Sequence, residues 1–413
     1  MSLIVRLIFL AIALGALALS LVLTVFIDVT GVRTIWALFV KFAPFALALS
    51  VVAAVLGIVA LVRGDALGWA VLALGLIAGA IVLAQMPFVQ AGRMARQWEA
   101  ALDQAFGPGW QDSIPEEVSQ YFLPEPVNPG LKELRPARPL REQQLIYATT
   151  PDGAELPLTV FRPDNDEVYP VLLSIHGGGW LEGGLGQAPE FNRYIAGQGY
   201  VVVDMTYRFS HPEEGVFNLY PAPMADVRCA IGFVKDHAAE LGLDPERMAL
   251  IGRSVGGHMA LLSAYAPADL VEPTCETRSS YEVQAVIGLQ SPTDLGVWVD
   301  HGSGNVTRMV GAFLGDLEAS GVGDLYNETA PLRYVNPGVP PTLLIDGGRD
   351  IAVPAEQHDM LYAALQEAGV ISAQLRVPWA AHGYDTDNPT ALDSQATAWA
   401  IERFLAWRLH GQP

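Results

Sequence analysis

The stretch Arg247-Met-Ala-Leu-Ile-Gly-Arg-Ser254-Val-Gly-Gly-His258-Met-Ala-Leu-Leu262 restricts the fold more than any other part of the chain. Met248 to Ile251 is a continuous apolar run and reads as a buried strand. Gly252-Arg253-Ser254-Val255-Gly256 follows, with the form G-x-S-x-G. A helical pattern begins at once, with Met259, Leu261, Leu262 and Tyr265 on its apolar positions. Strand, sharp turn and helix form the context that a nucleophile elbow needs. The turn forces its serine into strained backbone, and the flanking glycines lie too close to neighbouring chain to carry a Cβ. The pentapeptide alone is weak, because a chain with 40 glycines produces it readily; an ordinary glycine-rich turn is the competing explanation.

The elbow sits inside a β/α alternation that starts near residue 142. Strands are expected at Gln144–Thr149, Leu156–Phe161, Val171–His176, Tyr200–Met205, Met248–Ile251, Ala285–Leu289, Thr342–Ile345 and Gln374–Val377. Helices are expected at Ala188–Gln198, Pro223–Leu241, His258–Tyr265, Ala355–Ala368 and Asp393–His410. The inner strands are uninterrupted apolar runs, as in a parallel sheet covered on both faces. This predicts a doubly wound α/β domain over 142–413, with a mostly parallel eight-stranded sheet. In such sheets the ligand lies beyond the carboxyl ends of the strands, so motifs at strand ends are where chemistry is sought.

Three motifs fall there. His176-Gly177-Gly178-Gly179-Trp180 follows the Val171 strand, and consecutive glycines leave backbone N–H groups open to an approaching oxyanion. A phosphate loop is the rival, but no Gly-Lys-Ser/Thr follows and Gly183-Gly184 comes too late for a dinucleotide fingerprint. Asp346-Gly-Gly-Arg-Asp350 follows the seventh strand, where an acid can orient a histidine. Trp379-Ala-Ala-His382-Gly-Tyr384-Asp385 follows the last strand. Ser254, an acid, then His382 is the order that accompanies a G-x-S-x-G elbow in this kind of sheet.

Taken with Asp204-Met-Thr-Tyr207-Arg208 and Tyr220-Pro-Ala-Pro-Met-Ala-Asp226, these motifs resemble the hormone-sensitive-lipase-like carboxylesterases of the α/β-hydrolase fold. The resemblance covers roughly residues 142–410. It implies a serine nucleophile, Ser254, with His382 as base and Asp350 as the acid. It also implies an oxyanion hole made by the N–H groups of Gly178, Gly179 and Val255, and His176 as an organiser of that loop. Two departures stand out. Asp346 adds a second carboxylate that competes as the acid, and Val255 replaces the family's usual alanine. Asp226 opens a helical pattern, and its simplest role is to cap it. The stretch 292–338 is an insertion expected to cover the site. Its apolar members Trp298, Met309, Val310, Phe313 and Leu314 suggest a small, uncharged, apolar ester, although ordinary helix packing explains them equally well. No cofactor is implied, and no His/Cys cluster has metal-ligand spacing. A serine peptidase or acyltransferase, and a catalytically silent sensor, remain the alternatives.

Ahead of this domain lie three apolar segments, Leu7 to Ile27, Phe42 to Val62 and Leu67 to Val89. Each is long enough to cross a hydrocarbon core of about 30 Å, which predicts a multi-pass membrane region over 1–90. A signal peptide competes for the first segment, but its apolar run is longer than a typical h-region. Arg33, Lys41, Arg93 and Arg96 outweigh Arg6, Arg63 and the α-amino group, a small lean towards a cytoplasmic C-terminal domain. The total charge is −20, made of +4 over residues 1–96 and −24 over the remainder, which argues against nucleic acid as a partner of the second part. Residues 91–141 read as a connector, an amphipathic helix and then a proline-rich spacer. That helix either lies on the membrane surface or packs on the catalytic domain. Cys229 and Cys275 are expected to be independent thiols, with a disulfide as the alternative.

Overall fold

A computed structural model describes residues 93–126, 134–302, 304–319, 321–387 and 391–411, with a few scattered positions before residue 92. The three apolar segments lie, apart from isolated positions, outside the described residues. Among the described residues no helix is long and apolar enough to cross a membrane. The chain divides into two units, Met1–Met94 and Ala95–Pro413, and the second holds the sheet.

That sheet has eight strands: β1 (Leu140–Thr149), β2 (Glu155–Pro163), β3 (Tyr169–Ile175), β4 (Val201–Met205), β5 (Leu243–Arg253), β6 (Ala285–Leu289), β7 (Thr342–Gly347) and β8 (Ser372–Val377). Their order is β1-β2-β4-β3-β5-β6-β7-β8. β1 and β2 pair antiparallel, as do β2 and β4; every later pairing is parallel. All residues of β3, β4, β6 and β7 are buried. This is the physical reason for the uninterrupted apolar runs: helices cover both faces and no strand face meets water. The outer strand β1 instead exposes Arg141, Glu142, Gln143 and Gln144, and such a polar, charged edge resists pairing with another chain.

The covering helices are α1 (93–106), α2 (Pro189–Gly197), α3 (Ala222–Asp236), α4 (Val255–Tyr265), α5 (Leu295–His301), α6 (Gly304–Leu314), α7 (Val322–Glu328), α8 (Glu356–Glu367) and α9 (Leu392–Leu409). The predicted helix over 223–241 ends early, because the chain turns at His237 and resumes as one short turn at Ala238–Leu241. After β3 the chain winds to β4 on one side, then crosses to β5 on the other. The topological switch point therefore lies between the carboxyl ends of β3 and β5. Crevices at such points bind ligands in open α/β sheets. The loop after β3 begins at His176 and the turn after β5 holds Ser254.

The connector helix packs on this domain. Trp98 and Leu102 are buried, and the Trp98 indole donates to the Arg376 carbonyl at 3.2 Å. Phe106 stacks on Trp407 of α9, ring centres 4.2 Å apart. Of the spacer that follows, residues 127–133 lie outside the described residues. Its preceding part is clamped by Glu402 of α9, which accepts from Leu123 N–H at 2.9 Å, Tyr194 hydroxyl at 2.5 Å and Gln198 Nε2 at 2.8 Å. Burial pushes the Glu402 carboxyl up to about 7, against the pull of Arg403 and those donors. The folded chain thus holds this proton more tightly than the unfolded chain, in which the group has its ordinary value near 4.5. Stability then falls as pH rises from about 4.5 to 7, and the loss is complete above 7. Glu402→Gln is accordingly expected to gain on the wild type between pH 5 and 8, by on the order of 3 kcal/mol. Urea unfolding across that range measures it; a pH-independent difference would show that Glu402 ionises alike in both states.

Two sequence expectations are corrected here. Cys229 of α3 and Cys275 of the loop before β6 are not independent thiols but form a disulfide, with Cα atoms 5.3 Å apart. The pairing depends on how α3 folds back under that loop, which no local pattern reveals. Closing a loop of 46 residues stabilises by about 2–4 kcal/mol. The Cys229→Ala/Cys275→Ala double variant is expected to lose that much in urea unfolding; an unchanged midpoint would argue that the bond does not form. Asp226 does not cap a helix either. α3 begins at Ala222, and Asp226 lies within it, fully buried, paired with Arg208 at 2.8 Å and accepting from Arg208 N–H at 2.9 Å. The helix terminus has no side-chain cap, and the Asp226 carboxylate is taken up by the desolvated ion pair instead.

Candidate active site

β5 ends at Arg253, and Ser254 stands between it and the first turn of α4 with φ 54° and ψ −126°. A non-glycine residue at positive φ is uncommon and is held only where its surroundings leave no alternative. Those surroundings are tight. A Cβ on Gly256 would lie 2.3 Å from the carbonyl oxygens of both Ile175 and His176. A larger residue would push the elbow away from β3. The Ser254 N–H donates to the Leu289 carbonyl at 2.8 Å, so it faces the β6 side of the turn and is occupied.

His382 comes from the loop after β8. Its Nε2 is 2.9 Å from Ser254 Oγ and its Nδ1 is 2.6 Å from Asp350 Oδ2. With Nδ1–H donating to the carboxylate, Nε2 is left to accept from the serine hydroxyl. The other Asp350 oxygen accepts from the N–H groups of Ala352 and Val353, each at 2.9 Å. The Asp350 side chain is buried, and that of His382 is 11% exposed. The structure therefore brings Ser254, His382 and Asp350 into one hydrogen-bonded line from three separate strand ends. Asp346 is engaged elsewhere. It ends β7 against Arg376, accepts from Gln374 Nε2 at 3.1 Å and lies 3.6 Å from His358 Nδ1. Burial raises its carboxyl, but His358 and Arg376 outweigh that and hold it below the usual aspartate range.

The glycine loop after β3 lies against the elbow. Gly178 has φ 122° and Gly179 φ 65°. Among the described residues, no hydrogen bond engages the N–H groups of Gly178, Gly179 or Val255. His176 is buried, stacked on Tyr207 at 4.3 Å, with Nδ1 2.7 Å from the Gly177 carbonyl and Nε2 3.3 Å from Thr206 Oγ1. Burial pulls its pKa down to about 4, and the Gly177 carbonyl only partly opposes this. A neutral His176 braces the loop, its ring nitrogens facing the Gly177 carbonyl and Thr206 Oγ1 and not Ser254 or His382. Gln187 Oε1 accepts from Gly177 N–H at 2.7 Å, and Asp204 accepts from Gly186 N–H at 2.7 Å.

The sequence names Trp180, Met309 and Phe313 without revealing their contacts, and it gives no sign of Gln290. Trp180, also at positive φ (58°), stacks on Phe313 of α6 with ring centres 4.3 Å apart. It fastens the glycine loop to the 292–338 stretch. Met309 of the same helix lies against Gly179, so that a Cβ there would be 2.6 Å from the Met309 sulfur. Gln290, at φ 52°, accepts from Gly383 N–H at 2.5 Å, just past His382. A tryptophan directly after three glycines and the apolar residues of the 292–338 stretch were the visible signals. The contacts of Met309 and Gln290 depend on loops meeting in space.

The chain is similar to known esterases. Esterase LipQ of Mycobacterium tuberculosis is 28% identical over 76% of this chain and 77% of its own. Esterase LipC of the same organism is 27% identical over 70% of this chain and 71% of its own. Among solved structures, a thermophilic esterase of Thermogutta terrifontis, Est2 with propionate bound, superposes with TM-score 0.54 at 25% identity, over 68% of this chain and 98% of that one. The BD-FAE family model matches residues 158–365, more than half of the chain and the span from β2 through α8 that carries the glycine loop, the elbow and Asp350. The chain belongs to the BD-FAE family.

Proposed function

We propose that this carboxylic ester hydrolase works by acyl transfer through a covalent intermediate on Ser254. The observation that carries the reading is the Asp350–His382–Ser254 line, at 2.6 and 2.9 Å. Ser254 Oγ attacks the ester carbonyl while His382 Nε2 takes its proton and then hands it to the departing alcohol. Water repeats the sequence in reverse and releases the acid. Asp350 keeps His382 in the tautomer that accepts and stabilises its charged form. The N–H groups of Gly178, Gly179 and Val255 donate to the oxyanion of the tetrahedral intermediate. The substrate is an uncharged ester with a short apolar acyl group. Met309 against Gly179 narrows the space next to the oxyanion donors, and the Thermogutta esterase holds propionate in one structure and butyrate in another. The test is labelling by a fluorophosphonate probe, read beside hydrolysis of p-nitrophenyl esters of increasing acyl length and a matched anilide. Labelling of Ser254 with preference for short esters is expected. Folded protein that takes no label would instead favour a silent binding role, and faster cleavage of the anilide a peptidase.

The three apolar segments support a membrane-anchored enzyme, on sequence alone. The disulfide between Cys229 and Cys275 favours an oxidising compartment for the catalytic unit, which reverses the small cytoplasmic lean of the flanking charges. Protease digestion of sealed vesicles checks both points: an anchored, extracytoplasmic domain is digested in right-side-out vesicles and protected in inside-out ones, and a domain found in the supernatant before any digestion would remove the anchor.

A further inference from the structure

Arg253 is the last residue of β5 and the immediate neighbour of Ser254. Its Nε donates to Asp385 Oδ2 at 2.6 Å, and both side chains are only 6% exposed. Asp385 lies three residues beyond His382, in the one-turn helix Tyr384–Asp387 that continues the same segment. The guanidinium sits 4.9 Å from the ring centre of Phe191 in α2, which covers it. The two chain segments that carry nucleophile and base are thus joined twice. One link is the Ser254–His382 hydrogen bond at 2.9 Å. The other is a buried ion pair running beside it.

We infer that Arg253 and Asp385 are a positioning pair that sets the distance and angle between Ser254 and His382. The inference rests on the hydrolase reading above. An apolar pair of equal volume would hold the loop about as stably, since desolvation offsets most of what a buried ion pair gains. An ion pair adds direction, because the Nε–H must point at one carboxylate oxygen. Direction matters here for a specific reason. The His382 loop is held elsewhere by the Gly383 N–H on Gln290 Oε1 at 2.5 Å and, through Tyr384, by Thr397 Oγ1 at 2.9 Å and Ser394 Oγ at 3.3 Å, all on sides other than β5. The Gln290 tether fixes the loop towards β6, and the ion pair fixes it towards β5. Asp204 belongs to the same arrangement. Burial raises its carboxyl to about 6, while Gly186 N–H and the charge of Arg253 oppose the rise. The charge of Arg253 is thus felt at Asp204, while its hydrogen bond is made to Asp385 beyond the histidine, which ties the nucleophile's segment to that of the base.

Misplacing reacting groups by about 1 Å costs on the order of 100-fold in rate. Arg253→Gln and Asp385→Asn are each expected to lower kcat on p-nitrophenyl butyrate by about 10- to 100-fold, with KM within two-fold of wild type. The rate of fluorophosphonate labelling should fall in parallel. The double variant should be no slower than the slower single one, because both substitutions remove the same link. Arg253→Lys, which keeps the charge and loses the fork, should fall between. Melting curves establish that each variant is folded at the assay temperature. If Arg253→Gln does not fold, Asp385→Asn and Arg253→Lys carry the same comparison. Folded single variants that keep kcat within two-fold, or a double variant whose loss is the product of the single losses, would overturn the pair as a positioning device. Wild-type protein that takes no label at Ser254 would overturn the hydrolase reading instead, so the two failures are distinct.

Discussion

Ser254→Ala is expected to abolish turnover of p-nitrophenyl butyrate, a loss of about a million-fold in kcat, with little change in stability. The stability part follows from geometry. Alanine keeps the Cβ, so the strain at φ 54° is the same in both proteins. The hydroxyl is lost from one hydrogen bond, to a histidine that is itself partly exposed. The rate part follows from the relay. Without Oγ there is no acyl-enzyme, and His382 has nothing to deprotonate. What remains is direct attack by water held near the oxyanion donors. His382→Ala should be nearly as damaging, and the Ser254→Ala/His382→Ala double variant no worse than either, because members of such a line act as a unit. Asp350→Asn should lose about 10,000-fold, since an amide cannot hold Nδ1–H in place and favours the wrong tautomer. Asp346→Asn should leave kcat nearly unchanged and lower the melting temperature, since its partners are Arg376 and Gln374. Steady-state rates with active-site titration separate these cases. A Ser254→Ala protein that keeps a tenth of the activity would end the proposal.

What could be read in advance, and what could not, divides along sequence distance. The inner strands β3, β4, β6 and β7 were legible because burial on both faces writes an uninterrupted apolar run into four or more consecutive residues, whereas β2 and β8 showed themselves by alternation. The ends were less so: β5 starts at Leu243, five residues before the apolar run from Met248, because Asp244, Glu246 and Arg247 pair only through backbone or with each other. The elbow and glycine loop were legible because each needs a particular backbone shape over a few residues, and only glycine supplies it. Asp350 was separable from Asp346 only by spacing in the sequence; in space the choice is made by Arg376, whose guanidinium captures Asp346. The disulfide, the Arg208–Asp226 pair, the Trp98 contact with β8 and the Arg253–Asp385 pair have another origin. Each joins residues far apart in the chain, and each partner taken alone looks like an ordinary polar or aromatic residue. Asp385 was in view as part of the histidine loop, yet its role depended on which side chain β5 turned towards it.

The second large expected effect concerns the glycine loop. Gly178→Ala should lower kcat by at least 100- to 1,000-fold while Ser254 and His382 stay in place. Gly178 has φ 122°, where an L side chain is strained, and a Cβ there would lie 1.8 Å from the Glu182 carbonyl oxygen. That contact is with backbone, so no side-chain rotation relieves it. The turn itself must open, and it is held by Leu181 N–H and Glu182 N–H on the Gly178 carbonyl, each at 3.1 Å. Opening it moves the N–H groups of Gly178 and Gly179 together, whereas Val255 N–H stays with α4. Loss of one oxyanion donor is worth about 2.7–4 kcal/mol of transition-state stabilisation; displacement of two should exceed that. Ground-state binding depends on the apolar wall and not on these donors, so KM should change far less than kcat. The displacement should also slow fluorophosphonate labelling, because the phosphonyl oxygen uses the same donors. The contrast with Val255→Ala is the internal control, since that substitution keeps its N–H and should stay within a few-fold of wild type. A Gly178→Ala enzyme with kcat within five-fold of wild type would mean that the donors lie elsewhere, and the oxyanion assignment would move with them.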